Sequence, residues 1–383
     1  MDTKIPVPPP MDVLEAMGFR REDATPIPTE ITPVRGSRRR LTATRASMGT
    51  LVSLTAVHDS STLLEEAAGR AFEEMVCVVD ILNRYDPTSA LSVLNDMGRI
   101  RNPPPELRTV LGEALSHSRS SGGAFDPTVQ PLVDLFRSLK TEGKPTGSAW
   151  PARHRGEVPP PLEAPGGPGN RPRSAPSTAP SPTEVRELLE LVDPGAVKLP
   201  PGAIHLEKAG MGVTLDGIAK GYVVDRIADV LRSSGLSDFL VDGGGDIRCS
   251  GVREDGLPWR VAVQDPEKAG AFPDVIPLSH GAVATSGSYE IYFDPERTHH
   301  HIVSSLDGAS PQLIQSVSVV APTAMQADAL ATSVFLMGPA RGPAYVDSLP
   351  ECACLIIDTH GEETRSARWR SAGDYIPLEA ETS

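Results

Sequence analysis

"DFLVDGGGDIRCSG", residues 238–251, decides between two readings of the fold. It reads as extended chain on both sides of three consecutive glycines. A glycine-rich turn of the doubly wound, dinucleotide-binding kind needs G-x-G-x-x-G followed at once by a helix, because the helix N-terminus receives the pyrophosphate. This stretch has neither the spacing nor the helix, and a doubly wound reading fails. The glycines keep two roles: exposing backbone N–H groups to a ligand, or turning the chain into a bulge.

Outward from this point the elements are legible. "MGTLVSLTAVHD" (48–59) alternates as a strand does, and the segment from Ser60 repeats Leu64, Ala68, Ala71, Met75, Val78 and Leu82 at helical spacing. "WRVAVQDP" (259–266) and "IQSVSVVAP" (314–322) read as strands, while "AKGYVVDRIADVLRSSG" (219–235) and "AMQADALATSVFLMG" (324–338) read as helices. Hairpin-like runs of strands mixed with a few helices predict an α+β domain with mixed, largely antiparallel sheets and packed helices.

Composition sets the limits around that domain. The 383 residues suffice for a sizeable core, and the net charge of −14 argues against a nucleic-acid-binding surface over the whole chain. Arg35, Arg38, Arg39, Arg40 and Arg45 are read as a solvated arm before the first strand. Residues 141–182 hold eleven of the 38 prolines and are expected to form a disordered insertion. Residues 1–43 are expected to be a loosely ordered lead-in, 44–370 the folded domain and 371–383 a tail. Cys77, Cys249, Cys352 and Cys354 lack the paired spacing of a zinc site and read as reduced and structural. No secretory h-region, lipobox cysteine or membrane-spanning run is visible, so the expected location is cytoplasmic, or periplasmic if a leader lies upstream.

The chemistry sits where elements join. In "LDGIAKGYVVD" (215–225), Gly217 and Gly221 allow close backbone approach, and Lys220 stands at a helix opening, where an anion is favoured. The alternative is a surface lysine beside a turn. Asp328 and Thr332 are four residues apart, hence on one helix face, where a carboxylate and a hydroxyl can hold a hard, oxygen-loving cation. His299, His300 and His301 are consecutive and cannot all face one metal. One of them as a base and a polar loop are equally open readings. Thr285, Ser286 and Ser288 either grip phosphate or end a strand.

The succession "MGT" (48–50), "NRYDPTSALSVLN" (83–95), "SGGAFDPTV" (121–129), "LDGIAKGYVVD", "VDGGGDI" (241–247), "VATSGSYE" (283–290), "HIVSSLDG" (301–308) and "ADALAT" (327–332) resembles the FAD:protein FMN transferases, the ApbE family. The resemblance covers roughly residues 44–345 and implies an ApbE, T-fold-like domain. It implies magnesium-dependent splitting of FAD, transfer of FMN to a threonine or serine of a target protein through a phosphoester, and release of AMP. Such targets are commonly subunits of membrane-bound electron-transfer complexes; nucleic acid is not a partner.

By this resemblance the cofactor segment includes Met48, Tyr85, Ala124, Phe125, Asp126, Thr214, Lys220, Gly244, Thr285 and Ser286. Metal would be held by Asp328 and Thr332 with the backbone carbonyls of Gly217 and Ala331, and His301 would be the general base, so that His301, Lys220 and Asp328 form the catalytic set. Two departures stand out: "HIVSS" replaces the usual "HIIDP", putting Ser304 and Ser305 where an aspartate and a proline are common, and Thr214 stands where many members carry aspartate, with Asp216 as a compensating candidate. The departures leave two alternatives to transfer, an FAD pyrophosphatase giving FMN and AMP, and a non-catalytic FAD-binding protein.

Overall fold

The computed structural model describes residues 29–141, 180–263, 272–294 and 296–370. The expected tail and most of the proline-rich insertion and lead-in lie outside these residues. Strands β1 (Thr29–Pro33), β2 (Arg39–Ser47) and β3 (Thr50–His58) form a meander. Met48 and Gly49 connect β2 to β3 with φ of 53° and 76°, the two positive values of the tightest hairpin turn. The chain continues through helices α1 (Ser61–Leu82) and α2 (Ala90–Met97), strand β4 (Arg99–Arg101), and helices α3 (Pro105–Ser120), α4 (Gln130–Thr141) and α5 (Pro182–Leu189). Short strands β5 (Val197–Lys198) and β6 (Ala203–Leu206) pair with β4, and helix α6 (Ala219–Ser233) follows. Next come β7 (Asp238–Asp242), β8 (Ile247–Ser250), β9 (Trp259–Ala262), β10 (Val275–Leu278), β11 (His280–Gly287) and β12 (Ile314–Ala321). Helix α7 (Ala324–Asp347) and strands β13 (Ala353–Asp358) and β14 (Glu363–Arg365) complete the described chain.

Nine strands form one sheet in the order β1-β2-β3-β7-β8-β11-β12-β13-β14. Every strand pairing among the described residues is antiparallel, which narrows the mixed sheet expected from sequence. The sheet starts earlier than expected. Residues 29–43, read as part of a loose lead-in, form β1, the turn after it and the first half of β2, and the arginines are not a free arm: Arg38 pairs with Asp238, and Arg40 Nη1 is 2.8 Å from Glu254 Oε1.

Side-chain alternation gives the sheet two covered faces. Leu54, Ala56, Phe239, Val241, Ala282, Ala284, Val317, Val319, Cys354 and Ile356 pack against the helices, chiefly α1, α6 and α7. Their sequence neighbours Val57, Leu240, Val283 and Leu355 lie in a second cluster with Trp259, Val261, Ile276 and Trp369, from the β9–β10 hairpin and the chain after β14. Cys352 and Cys354 share the helix-side core, and all four cysteines are free thiols. No helix among the described residues is long and apolar enough to cross a membrane.

Gly221 sets how closely α6 and α7 approach. A Cβ there would lie 2.8 Å from Met325 Cα and closer still to the Ala324 carbonyl, both backbone atoms unable to swing away. Asp225, one turn later on α6, accepts hydrogen bonds from the amides of Ala324 and Met325 at 2.9 Å each, capping the start of α7. The helix expected to end at Gly338 is interrupted there (φ 70°, ψ −177°) and resumes through Pro339 and Pro343.

The long connection from β11 to β12 carries the three histidines. Phe293 and Val303 pack with Val129, Leu132, Val133 and Phe136 of the α4 region. His300 is the internal anchor: 1% exposed, its ring stands edge-on to Phe335 of α7. Its Nε2 donates to the Pro311 carbonyl at 2.9 Å, and its Nδ1 accepts from the Ile302 amide at 3.3 Å. That pattern requires the neutral ring, and burial, with lesser contributions from its neighbours, lowers the His300 pKa to about 4.

The packing can be tested at three residues. Gly221→Ala is expected to destabilise the fold by about 3 kcal/mol in urea unfolding, because backbone must move. Gly69→Ala in α1, where a Cβ meets nothing within 4 Å, should be neutral or stabilise by up to about 1 kcal/mol. For His300 the folded pKa lies below the unfolded value of 6.5, so its contribution is complete above about pH 6.5 and is lost as pH falls towards 4. Urea titrations should show wild type losing about 3 kcal/mol more than His300→Gln over that interval; parallel pH curves would contradict the assignment.

Candidate functional site

The opening of α6 does receive an anion, but from within the chain. The Gly221 amide, in the first turn of α6, donates to Asp328 Oδ2 at 3.1 Å. This bond, with the Asp225 cap, fixes Asp328 on the face of α7 turned towards the 215–221 turn. Thr332 follows one helical turn later. A Cβ on Gly217 would lie 2.7 Å from Thr332 Oγ1 and 3.3 Å from Phe125 Cε2. Three distant segments, 121–129, 213–221 and 327–332, therefore meet within one or two atomic diameters. Ser286 Oγ reaches the same point, 3.4 Å from Thr332 Oγ1.

Lys220 is an electrostatic neighbour of Asp328. Its Nζ is 3.4 Å from the Gly244 carbonyl and 3.6 Å from Asp246 Oδ1. Burial works against its charge, but Asp246, Glu290, Asp328 and Asp242 outweigh burial and hold it protonated. Asp246 and Asp328 are both buried, and their carboxyls are close enough to act on each other. Burial pushes the Asp328 carboxyl well above the usual carboxylate range, and Asp246 adds to the rise. Burial likewise pushes Asp246 up to about 6, against the pull of Lys220.

The triple glycine is a closed turn. Gly244 and Gly245 donate to Asp242 Oδ1 at 2.9 and 3.0 Å, and Gly243 donates to the Asp246 carbonyl at 2.8 Å. All three amides are turned inward, so this loop does not present them to a dinucleotide. Gly244 is required by its φ of 79° and by Thr50, which a side chain would strike.

The remaining candidates divide. Ala124 and Phe125 lie in a turn closed by Ser121, whose Oγ accepts from the Phe125 amide at 3.0 Å. Asp126 caps the short helix that follows by accepting from Thr128, and burial raises its carboxyl. The Thr214 amide donates to the Pro127 carbonyl at 2.7 Å and joins the two segments. Asp216 pairs with Arg84 at 2.6 Å. Tyr85 stands at the exposed rim, its ring flanked by Arg84 and Arg137 at 5.0 and 4.9 Å. Met48, in the hairpin turn, lies beside Gly243. Thr285 is a correction: it alternates with Ser286, bonds Ser318 at 2.7 Å and points to the sheet face away from Asp328 and Thr332.

The histidines face three ways, as consecutive residues must. His299 stacks on Phe136, His300 is the buried anchor, and His301 Nε2 is 3.9 Å from Glu290 Oε2. Glu290 is also an electrostatic neighbour of Lys220 and Asp246, which ties His301 to the acidic cluster. Glu290, Asp246, Asp225 and Arg84 were absent from the sequence-derived set. Each lies inside a quoted motif, but only burial and partners distinguish them from solvated charges.

The donors fit a hard cation. Among the described residues no three His, Cys, Asp or Glu side chains converge on one point. A metal would thus draw on carboxylate, hydroxyl and carbonyl oxygens, the preference of magnesium-like ions. The raised Asp328 carboxyl and the unpartnered, buried Oδ2 of Asp246 mark a place short of positive charge.

Comparison with known proteins places this geometry. The ApbE family profile matches residues 48–356. The FAD:protein FMN transferase of Vibrio cholerae is 28% identical over 79% of this chain and 81% of its own length, and that of Haemophilus influenzae 27% over 84% and 88%. Among solved structures, the flavin transferase ApbE from Vibrio cholerae matches with a TM-score of 0.66 at 26% identity, covering 89% of this chain and 98% of that one. The ApbE protein of Thermotoga maritima matches with a TM-score of 0.69 at 27% identity, covering 86% and 97%. A profile match across most of the chain, joined to the same fold in solved relatives and to the meeting of the motif segments at Gly217 and Thr332, means that this chain belongs to the ApbE family.

Proposed function

We infer that this chain is an FAD:protein FMN transferase, moving the FMN half of FAD onto a hydroxyl of a target protein with release of AMP. The observation that carries the reading is the Gly221–Asp328 bond, which seats Asp328 and Thr332 against Gly217 and Phe125. The acceptor we propose is a threonine or serine of a membrane electron-transfer subunit, and the ion we propose is magnesium. Asp328 and Thr332, with carbonyls of Gly217 and Ala331, would hold that ion; bound, it supplies charge neutralisation at the FAD pyrophosphate.

This chain's own residues do the rest. Phe125 and the turn around it wall the site beside Gly217. Lys220, kept charged by its acidic neighbours, offers a fixed positive end near the leaving phosphate. His301 takes the proton of the acceptor hydroxyl as the hydroxyl oxygen bonds to the FMN phosphorus. The bond from that phosphorus to the bridging oxygen breaks, and AMP departs with its electron pair. Glu290, 3.9 Å from His301 Nε2, is placed to stabilise the imidazolium that forms.

Intact-mass measurement of a threonine-bearing acceptor domain incubated with the chain, FAD and magnesium tests the reading. The expected result is an added FMN with AMP released in equal amount. FMN and AMP without labelling would mean hydrolysis, and intact FAD would refute turnover. Asp328→Ala should abolish metal-dependent turnover. His301→Ala should lower transfer by about 10²–10⁴-fold while FAD binding, followed by flavin fluorescence, persists; loss of both would make His301 part of the FAD site.

A further inference from the structure

We propose that Asp246 is a second acidic side chain of the divalent-cation site, acting with Asp328 on the same ion, and that the two carboxylates form this site before FAD arrives. The proposal rests on the reading of Asp328 and Thr332 as metal donors.

Asp246 is 1% exposed, and its Oδ2 has no hydrogen-bond partner. Its other oxygen faces Lys220 at 3.6 Å, beyond a good hydrogen bond, so a role as clamp for Lys220 leaves half the carboxylate unexplained. A buried carboxylate without compensation is costly, and such groups in proteins are paired or bind metals. Asp328 lies within side-chain hydrogen-bonding reach of it. Around Lys220 stand four carboxylates, those of Asp242, Asp246, Asp328 and Glu290. One ammonium cannot balance them. Asp242 spends an oxygen on the amides of Gly244 and Gly245, and Glu290 is partly exposed, which leaves Asp246 as the buried carboxylate beside Asp328 with an oxygen to give. Its position is fixed by backbone, since the Asp246 carbonyl closes the glycine turn by accepting from Gly243.

The test is Mn²⁺ binding to the full chain without nucleotide, read from the electron paramagnetic resonance of the free ion. Asp246→Asn is expected to bind about 10–100-fold more weakly than wild type. Asp328→Ala should lose binding, and Glu290→Gln, which removes one charge from the same neighbourhood, should weaken it by less than about threefold. Equal losses in Asp246→Asn and Glu290→Gln would overturn the proposal in favour of a general field. Wild-type affinity in Asp246→Asn with binding lost in Asp328→Ala would overturn it while leaving the Asp328 reading intact. Unchanged binding in both variants, or a wild-type chain that binds no Mn²⁺, would overturn both. Asp246→Cys covers a failure of Asp246→Asn to fold: it should trade Mn²⁺ for Cd²⁺ and gain a thiolate–Cd²⁺ absorption band over the wild-type background. Absence of that band would mean that Asp246 does not reach the ion.

Discussion

Two helices hold each other by their first turns. The Gly221 amide at the start of α6 is bound by Asp328 of α7, and the Ala324 and Met325 amides at the start of α7 are bound by Asp225 of α6. In each direction the partner of a positive helix end is a carboxylate four residues along the other helix. The exchange works only because residue 221 has no side chain, since a Cβ would strike the backbone of Ala324 and Met325. Displacing α7 by a methyl group's width would move Asp328 and Thr332 together, and with them Phe335, on which the His300 anchor leans. The remainder of the site hangs from this contact.

That arrangement concentrates negative charge where water is scarce. Asp328 is held by an amide rather than by a cation, and Asp246 lies against it, with Lys220 near both. Folding has to carry this imbalance, and the carboxyls meet it by rising towards protonation. A pocket built so disfavours empty, fully ionised carboxylates and favours an incoming cation. It is also a poor receptacle for a bare pyrophosphate, which explains why the helix opening and the triple glycine, both attractive from sequence as anion sites, have their amides occupied by Asp328, Asp242 and the Asp246 carbonyl.

Much of this was legible in the residues. Periodicity located the strand after Met48, the helices at α1 and α6, and the absence of a helix after the triple glycine. The Asp328–Thr332 spacing placed a carboxylate and a hydroxyl on one face because helical geometry is local. Pairing is not local, and there the sequence was mute. Arg38 and Arg40 looked like an arm because Asp238 and Glu254 are some two hundred residues away. Thr285 and Ser286 looked equivalent because both carry hydroxyls, yet a strand sends neighbours to opposite faces, and only the register with Ser318 says which one meets Thr332. Asp246 and Glu290 were read as parts of motifs without roles, since burial is a property of the assembled sheet and helices.

The serines at 304 and 305 illustrate how a departure from a motif can be absorbed. Ser304 Oγ accepts from the Leu306 amide at 3.2 Å, and its backbone closes the turn to Gly308 and Ala309. An aspartate carboxylate could accept a bond of the same kind, since Asx and serine turns both take the amide two residues on, although its oxygens stand one carbon further from the backbone. Ser305 Oγ donates to the Gly123 carbonyl at 2.8 Å, a bond that proline cannot make. It fastens the histidine loop to the turn that carries Phe125, while His300 fastens it to α7 and Phe293 fastens it to α4. His301 is therefore positioned by the neighbours that tie down its loop. With a serine at each of these positions the loop is tied down through side-chain oxygens, and the His301 imidazole stands beside Glu290.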